Sequence, residues 1–462
     1  MKRYVFFILF LTFFYTGAEI YKIKVPANDT EAKKIVGTLD ILSAGIRENV
    51  IFYAVNATPN EISQLPFYIE VKSIKMSLTD SPSYDTIEEI DSRIEQIAAD
   101  SSGYSSVFTI GNSVEGRKIK AVRISAIEES TEETPEILFV GLHHAREWIS
   151  YEVPLAIAEF FIEYADLNPV LNEIINSSVL WFIPLLNPDG YLFSYETDRL
   201  WRNNMRKHPD GTMGVDLNRN YDSSWIEFEY FHGTEPFSEP ETRAIRDFII
   251  DGEQYGVKTI DGLITYHSYG ELILYPPGSN DEPPDNVELY QTVGTNMADL
   301  IYNECGKFYT TIQIKDLYPT FGEMTEWFME VSGNKLSFTF ELRPSFFESY
   351  GFELPPEYIK DSVKENIPSA VYFISHIITG ETEINTDRNE SGVFDAIENT
   401  MYDYEECYHP DKSGEEEEKE EEDDILPDED FYPDEDSIFE DDPSTEAPGH
   451  KKSSGCSMNY LF

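Results

Sequence analysis

The spacing of apolar residues changes repeatedly between strand-like and helix-like patterns along residues 81–379. Residues 147–164 have the amphipathic spacing of a helix, whereas short continuous apolar runs predict buried strands. These runs lie in residues 134–141, 178–186, 262–266 and 335–340. Strands that alternate with helices indicate a parallel sheet covered on both faces. The sequence therefore predicts an α/β fold with a mixed, mostly parallel central sheet flanked by helices.

The N-terminal residues differ in pattern from this region. Residues 1–18 combine two basic residues, an apolar run and a small-residue end, which is typical of a secretory signal and predicts a secreted, extracellular protein.

Residues 19–80 mix strand-like patches with helical spacing at 31–42 and predict a small α+β unit. No later segment has the roughly 18 apolar residues that a membrane span needs, so we expect no membrane partner.

Charge is extreme and uneven. The chain has 87 acidic and 34 basic residues, for a net charge of −53. A charge block at 415–424 lies within the C-terminal segment 380–462, and such a composition predicts an acidic disordered tail. A surface of this sign repels nucleic acid and anionic membranes, so we expect neither as a partner.

Cysteine is scarce. Cys305, Cys407 and Cys456 are the three cysteines of the chain, too few for a disulfide framework. Their odd number leaves at least one thiol free or paired between molecules. A bridge between Cys407 and Cys456 is one alternative, and the sequence does not decide the pairing.

The residues with the clearest chemistry follow the apolar run 137–140. His144 and Glu147 lie three residues apart after it, and imidazole and carboxylate are both zinc ligands. His267 follows a second apolar run and is a third candidate ligand. A catalytic zinc ion takes three protein ligands and keeps one position open, so the three residues predict an open zinc site. Alone, a His-x-x-Glu pair is more commonly a surface ion pair.

Six motifs, in order along the chain, resemble one family. They are His144–Trp148, Asn187–Tyr191, Arg199–Arg202, Gly214–Asn220, His267–Tyr269 and Ser337–Arg343. Each motif is weak evidence by itself, but six in order are specific. The chain is similar to the zinc metallocarboxypeptidases of the pancreatic carboxypeptidase A/B type, which are made as procarboxypeptidases.

The resemblance implies a secreted hydrolase with one Zn²⁺ ion per chain, bound by His144, Glu147 and His267. It implies that Glu341 is the general base and that Arg202 stabilises the oxyanion formed when water adds to the peptide carbonyl. The substrates would be peptides or proteins with a free C-terminus.

Recognition of that C-terminus is also implied by the resemblance. Asn218 and Arg219 match the family's carboxylate clamp, and Tyr318 matches its mobile cap. A planar guanidinium suits this task because it meets both carboxylate oxygens. Arg146 and Tyr269 match the residues that bind the penultimate part of the substrate.

Thr325 matches the floor of the pocket for the C-terminal side chain. A neutral floor would leave a cationic side chain unpaired, so we expect a preference for apolar or neutral C-terminal residues. Glu323 and Glu326 flank this position, and a register shift of one residue would put a carboxylate into the pocket instead.

The resemblance also implies a domain organisation. We expect a signal peptide at 1–18, a pro-segment at 19–80, a catalytic domain at 81–379 and an acidic tail at 380–462. The alternative for 19–80 is an extension that packs on the main domain. No dibasic site ends this segment, so activation by a trypsin-like protease after Lys75 is a hypothesis.

We expect the enzyme to be a monomer. A rival interpretation is a catalytically silent peptidase fold that serves as a binding protein with an acidic interaction tail. The presence of every ligand, base and clamp residue favours the enzyme.

Overall fold

The computed structural model of the chain describes residues 19–26, 30–37, 39–47, 50–57 and 84–383, apart from residues 102, 229, 230 and 349. The expected signal peptide at 1–18 lies outside the described residues, as does the expected tail from residue 384 onward. The described residues form an N-terminal unit and a larger α/β domain.

The N-terminal unit is a three-stranded antiparallel sheet with one short helix. Its elements are β1 (Glu19–Pro26), α1 (Thr30–Val36), β2 (Asp40–Arg47) and β3 (Val50–Ala57), with the sheet order β1-β3-β2. The helix is shorter than the helical spacing at 31–42 predicts. It ends before Gly37 because glycine is a poor helix former, and Ile41 then pairs with Val55 of β3.

An eight-stranded sheet forms the centre of the larger domain. Its strands are β4 (Ser105–Asn112), β5 (Lys118–Ile124), β6 (Glu136–Val140), β7 (Val179–Ile183), β8 (Gly262–Gly270), β9 (Leu272–Tyr275), β10 (Thr310–Gln313) and β11 (Leu336–Ser345). They lie in the order β10-β9-β11-β8-β6-β7-β5-β4. The pairs β6/β7, β6/β8, β8/β11 and β9/β10 are parallel, and the other three are antiparallel. The predicted mixed, mostly parallel sheet is confirmed.

Helices cover both faces of this sheet in the described part of the chain. They are α2 (Ile87–Asp100), α3 (Ile149–Tyr164), α4 (Pro169–Ser177), α5 (Pro188–Glu196), α6 (Pro240–Asp251), α7 (Val287–Cys305), α8 (Ile314–Leu317), α9 (Met324–Ser332) and α10 (Ile359–Thr379). Within the described ranges, no helix is both long and apolar enough to span a membrane.

The central strands are buried on both sides because their side chains alternate between two hydrophobic cores. In β6, Ile137 and Phe139 pack into the core that contains α2, α3, α7 and α10. Leu138 and Val140 pack into the opposite core with α6 and α9. A strand covered on both faces must be apolar at every position, which explains the continuous apolar runs in the sequence.

The N-terminal unit packs against β9 and α8 of the larger domain. One apolar cluster joins the two parts through Ile23, Val25, Ile51, Tyr53, Val55, Leu272, Leu274, Ile314 and Leu317. The Tyr53 hydroxyl also donates a hydrogen bond to the carbonyl oxygen of Leu317, the last residue of α8. The unit therefore covers the part of the domain where Tyr318 follows α8.

Cys305 ends α7, is almost completely buried and is disulfide-bonded. Its sulfur lies 3.9 Å from the carbonyl oxygen of Asp361, near the start of α10. Cys407 and Cys456, the other two cysteines of the sequence, lie outside the described residues. The alternative of a Cys407–Cys456 bridge is not tested by the described residues and stays a prediction.

We expect peptide mapping of the non-reduced protein to recover Cys305 cross-linked to a peptide that contains Cys407 or Cys456. Reduction before digestion should separate the two peptides, and a Cys305→Ser variant should lack the cross-link. A free Cys305 thiol in the purified, non-reduced protein would contradict the disulfide.

Candidate active site

The predicted metal ligands lie at the edge of the sheet where β6 and β8 end. β6 ends at Val140, four residues before His144, and His267 lies in the C-terminal half of β8. β6 and β8 are parallel neighbours, so their carboxyl ends lie at the same edge. Ligands of open α/β sheets bind at this edge.

The turn that leads from β6 into the site needs a residue without a side chain. A Cβ atom on Gly141 would lie 2.4 Å from the carbonyl oxygen of Ser150 and 2.6 Å from that of Pro184. Glycine therefore lets the chain pass between these carbonyl groups. The tight passage brings His144 and Glu147 to the sheet edge before α3 begins.

The ligand atoms of the three predicted metal-binding residues converge. The Nδ1 atoms of His144 and His267 are 3.1 Å apart, and Glu147 carboxylate oxygens lie 2.8 Å and 3.1 Å from them. All three side chains are buried. Ligands about 2.0–2.2 Å from one tetrahedral zinc ion lie roughly 3.3 Å from each other. The three residues therefore fit a zinc ion with only small shifts.

The protonation of the ligands also suits a cation. Burial lowers the pKa of His267 to about 4, so the ring is neutral at pH 7 and keeps a lone pair for a metal. Burial opposes ionisation of Glu147, but His144 and His267 nevertheless hold the pKa of that carboxyl below its ordinary value.

Asp216, which the sequence analysis missed, positions two groups of the site. It accepts hydrogen bonds from Nε2 of His144 at 3.1 Å and from Nε of Arg202 at 2.9 Å. Although burial opposes its ionisation, Arg202 and His144 keep the pKa of Asp216 well below its usual range. A carboxylate behind a ligating histidine fixes the orientation of the ring. The signal in the sequence is its place two residues before Asn218.

Glu341 lies beside His267 in the sheet. The parallel pairing of β8 and β11 puts these two residues in register, and both line one cavity. Desolvation and the charge of Glu147 raise the pKa of Glu341 well above its ordinary value, and Arg202 and Arg219 oppose this rise. A carboxyl poised in this way can accept and return a proton.

Two guanidinium groups line the same cavity. Nη1 of Arg202 lies 3.7 Å from a carboxylate oxygen of Glu147. Arg219 ends the short 3₁₀ turn Leu217–Arg219 and donates to the carbonyl oxygen of Asn218 at 2.7 Å. Asn218 is fixed in turn because its side-chain oxygen accepts from the backbone N–H of Met324 at 2.9 Å.

The loop before α9 passes directly behind Arg219. Gly322 has φ +70°, and a Cβ atom there would lie 2.4 Å from the Arg219 carbonyl oxygen. Its own carbonyl oxygen accepts from the Tyr221 N–H at 3.0 Å, and its N–H donates to Ser223 at 2.7 Å. This contact brings the start of α9 next to the predicted carboxylate clamp.

Tyr318 follows α8 and also lines the cavity. Burial raises the pKa of its hydroxyl, whereas the charge of Arg219 lowers it. Its ring meets the edge of the Tyr53 ring at a centroid distance of 6.4 Å. The predicted cap thus lies between the guanidinium group and the N-terminal unit.

Arg146 and Tyr269 share one neighbour, Phe352. The Arg146 guanidinium lies 4.2 Å from the centroid of the Phe352 ring, and the Tyr269 ring lies 4.9 Å from it. Neither residue lines the cavity itself. The charge of Arg146 nevertheless lowers the pKa of Glu341, so this guanidinium group is close to Glu341.

The predicted pocket floor differs from what the structure places in the cavity. Thr325 is fully buried and does not line the cavity. Its hydroxyl donates to Glu323 at 2.7 Å, and it is Glu323 that lines the cavity. Glu326 turns away and accepts from the backbone N–H of Gly278 at 2.9 Å. Glu323 therefore places a carboxyl group in the cavity, where the sequence predicts the uncharged side chain of Thr325.

His143 stays outside the group of ligands. Its ring stacks on His267 at a centroid distance of 5.2 Å, and its Nε2 atom hydrogen-bonds the Tyr221 hydroxyl at 2.9 Å. Among the described residues, the group that could hold a metal is formed by His144, Glu147 and His267.

The fold and the three converging metal ligands indicate a metal-dependent enzyme, and comparison with known proteins gives the family. Zinc carboxypeptidases match residues 90–369, more than half of the chain. The chain belongs to this family and is a metallocarboxypeptidase, which uses zinc to hydrolyse C-terminal peptide bonds. The prediction from the motifs is confirmed.

Individual zinc carboxypeptidases are similar to this chain in sequence and in structure. Carboxypeptidase A2 of Rattus norvegicus is 31% identical over 304 residues, which cover 64% of this chain and 70% of the relative. Carboxypeptidase B of Astacus astacus is 31% identical over 291 residues, which cover 61% of this chain and 92% of the relative. The crystal structure of carboxypeptidase A from Helicoverpa armigera superposes with a TM-score of 0.67 at 26% identity, over 80% of this chain and 99% of that one.

We expect Asp216→Asn to weaken zinc binding by about 10–100-fold, because His144 loses the carboxylate that orients its ring. Zinc content after dialysis against a graded series of chelator concentrations measures this effect. Asp222→Asn, at an exposed position nearby, is the control and should bind zinc like the wild type. Equal zinc affinity of the Asp216 variant would refute the positioning role.

Proposed function

We propose that the chain is exported, acts as a monomer and removes single residues from the free C-terminus of peptides and proteins. The observation that carries this proposal is that the metal ligands, Glu341 and Arg219 line one cavity. A guanidinium group close to the reacting atoms suits a terminal carboxylate, since its planar fork meets both oxygens. Cleavage inside a chain would need no such partner.

The catalytic work divides among a few side chains. His144, Glu147 and His267 would hold a zinc ion, which would polarise the peptide carbonyl and lower the pKa of water. Glu341 takes the proton of the attacking water and returns it to the leaving amine. Arg202, held by Asp216, donates hydrogen bonds to the carbonyl oxygen as negative charge develops there.

Substrate binding involves a second group of residues. Asn218 and Arg219 bind the terminal carboxylate, and Tyr318 closes over it. Arg146 and Tyr269 bind the penultimate residue, an assignment supported by their common contact with Phe352. Binding energy spent in this way orients the scissile bond relative to Glu341.

The pocket for the released side chain suits apolar or neutral residues over much of its lining. Leu274 and Leu317 line the cavity without charge, and Thr325 is buried next to Glu323. We therefore keep the preference for apolar or neutral C-terminal residues as part of the proposal. Glu323 adds one carboxyl group to the same lining.

Residues 19–80 act as an activation segment in this proposal. Ile41 of β2 lines the cavity together with the metal ligands and Glu341. Tyr53 of β3 holds α8 by its hydrogen bond to Leu317. Both contacts restrict access to the cavity, so cleavage after Lys75 by a trypsin-like protease would open it. The segment around Lys75 lies outside the described residues.

We expect Glu341→Gln to lower kcat by about 10²–10⁴-fold, because an amide cannot accept the proton of the attacking water. Release of amino acids from a blocked dipeptide by the activated enzyme measures kcat, and zinc content and KM should change little. Glu133→Gln, at an exposed position, is the control. Chelation should abolish the wild-type activity and added zinc should restore it. Substantial turnover by Glu341→Gln would overturn its role as general base.

We expect Tyr53→Phe combined with Ile41→Ala to raise the activity of the uncleaved protein several-fold, since the N-terminal unit then holds the cavity less firmly. Hydrolysis is measured before and after limited trypsin treatment. Lys34→Ala, at an exposed position of α1, should leave the uncleaved protein as inactive as the wild type. An uncleaved wild-type protein with full activity would refute the activation segment.

A further inference from the structure

Glu323 is a buried carboxyl group within the substrate cavity. It is 2% exposed and lines the cavity with Arg219 and the metal ligands. As the N-cap of α9, it accepts hydrogen bonds from the Thr325 N–H at 2.8 Å, the Thr325 hydroxyl at 2.7 Å and the Glu326 N–H at 2.7 Å. A carboxylate has about four acceptor positions, so about one remains for a substrate.

The hydrogen-bond donors that reach Glu323 in the described structure are all uncharged. The charge that acts on it most strongly is the carboxylate of Glu326, one turn along α9. A buried carboxylate without a cationic partner is costly. The ammonium of lysine or the guanidinium of arginine in a substrate would supply the missing charge.

Two hydroxyl groups in the same cavity also lack partners. The Oγ1 atoms of Thr320 and Thr339 are buried and have no hydrogen-bond partner among the described residues. Both residues line the cavity with Glu323. A side chain that ends in several N–H donors can satisfy groups of this kind, whereas an aliphatic side chain cannot.

Protonation would change what this pocket accepts. Burial and the neighbouring Glu326 raise the pKa of Glu323 to about 7, against the hydrogen bonds from Thr325. Above this pH the carboxylate is ionised and favours a cation. Below it the carboxyl is neutral, so an apolar side chain meets no buried charge.

We propose that Glu323 selects the C-terminal side chain and makes this preference depend on pH. Its ionised form takes lysine or arginine, and its protonated form takes an apolar or neutral residue. This inference rests on the proposed exopeptidase function and names the substrate class of the same site.

Other titratable groups face Glu323 from the elements around it. Burial raises the pKa of Tyr290 on α7 to about 12 and that of Tyr221 well above its ordinary value, so neither hydroxyl titrates near neutral pH. Glu326 faces it from α9, and Arg202, Arg219 and Glu341 line the same cavity. These groups act on every substrate, so a ratio of two substrates at each pH removes their common effect.

The test uses the activated zinc enzyme and two N-blocked dipeptides that differ only in their last residue, lysine or norleucine. Norleucine has a similar aliphatic chain without the ammonium group. We expect the lysine-to-norleucine ratio of kcat/KM to rise at least about tenfold between pH 5.5 and 8.5, because the ionised fraction falls about tenfold per pH unit below the pKa. The midpoint should lie near the pKa of Glu323, about 7.

Two variants of α9 sharpen the test. In Glu323→Gln the ratio should be low and independent of pH, whereas Glu330→Gln, at an exposed position of the same helix, should behave like the wild type. The wild-type profile tests the proposal even if Glu323→Gln does not fold.

The possible results distinguish a failure of the role of Glu323 from a failure of the proposed exopeptidase function. Cleavage of both dipeptides with a pH-independent ratio in the wild type overturns the role of Glu323 alone. A pH-dependent ratio that persists in folded Glu323→Gln also overturns it. Cleavage of neither dipeptide overturns the exopeptidase function on which the inference rests.

Discussion

The parallel hydrogen-bonded register of β6, β8 and β11 is the constraint on which the active site depends. The three strands are neighbours in the sheet and end at one edge. His144 follows β6, His267 lies in β8, and Glu341 lies beside it in β11. The backbones of His267 and Glu341 cannot shift apart without breaking the hydrogen bonds between β8 and β11, so the distance between this ligand and the proposed base is fixed by the sheet.

The site buries many ionisable groups, and removing their charges from water costs free energy. Neighbouring groups of opposite charge reduce this cost for one another. Asp216 holds both His144 and Arg202, while Glu147 lies between two imidazoles and near the same guanidinium group. Alternating signs of charge reduce the cost of removing these groups from water. His144, Glu147 and His267 would hold a zinc ion, and Asp216 connects one of these ligands to Arg202.

The edge that holds the catalytic groups also meets the N-terminal unit. α8 and Tyr318 lie at this junction, where Tyr53 contacts both the Leu317 carbonyl and the Tyr318 ring. In our proposal the residue that closes over a substrate is the one restrained before activation. In this proposal the contacts that hold the N-terminal unit would also keep substrate out, since Ile41 of that unit lines the cavity.

Much of this protein can be predicted from its sequence alone. Apolar runs located the strands β6, β7, β8 and β11, since a strand covered on both faces must be apolar at every position. Motif spacing identified the family and the candidate ligands. The sequence did not show which side chains face the cavity. Glu323 rather than Thr325 lines it, and Asp216 orients His144, because the packing of α9 and the 3₁₀ turn against the sheet decides these contacts. Directions of side chains depend on contacts between residues far apart in the chain, which local patterns do not encode.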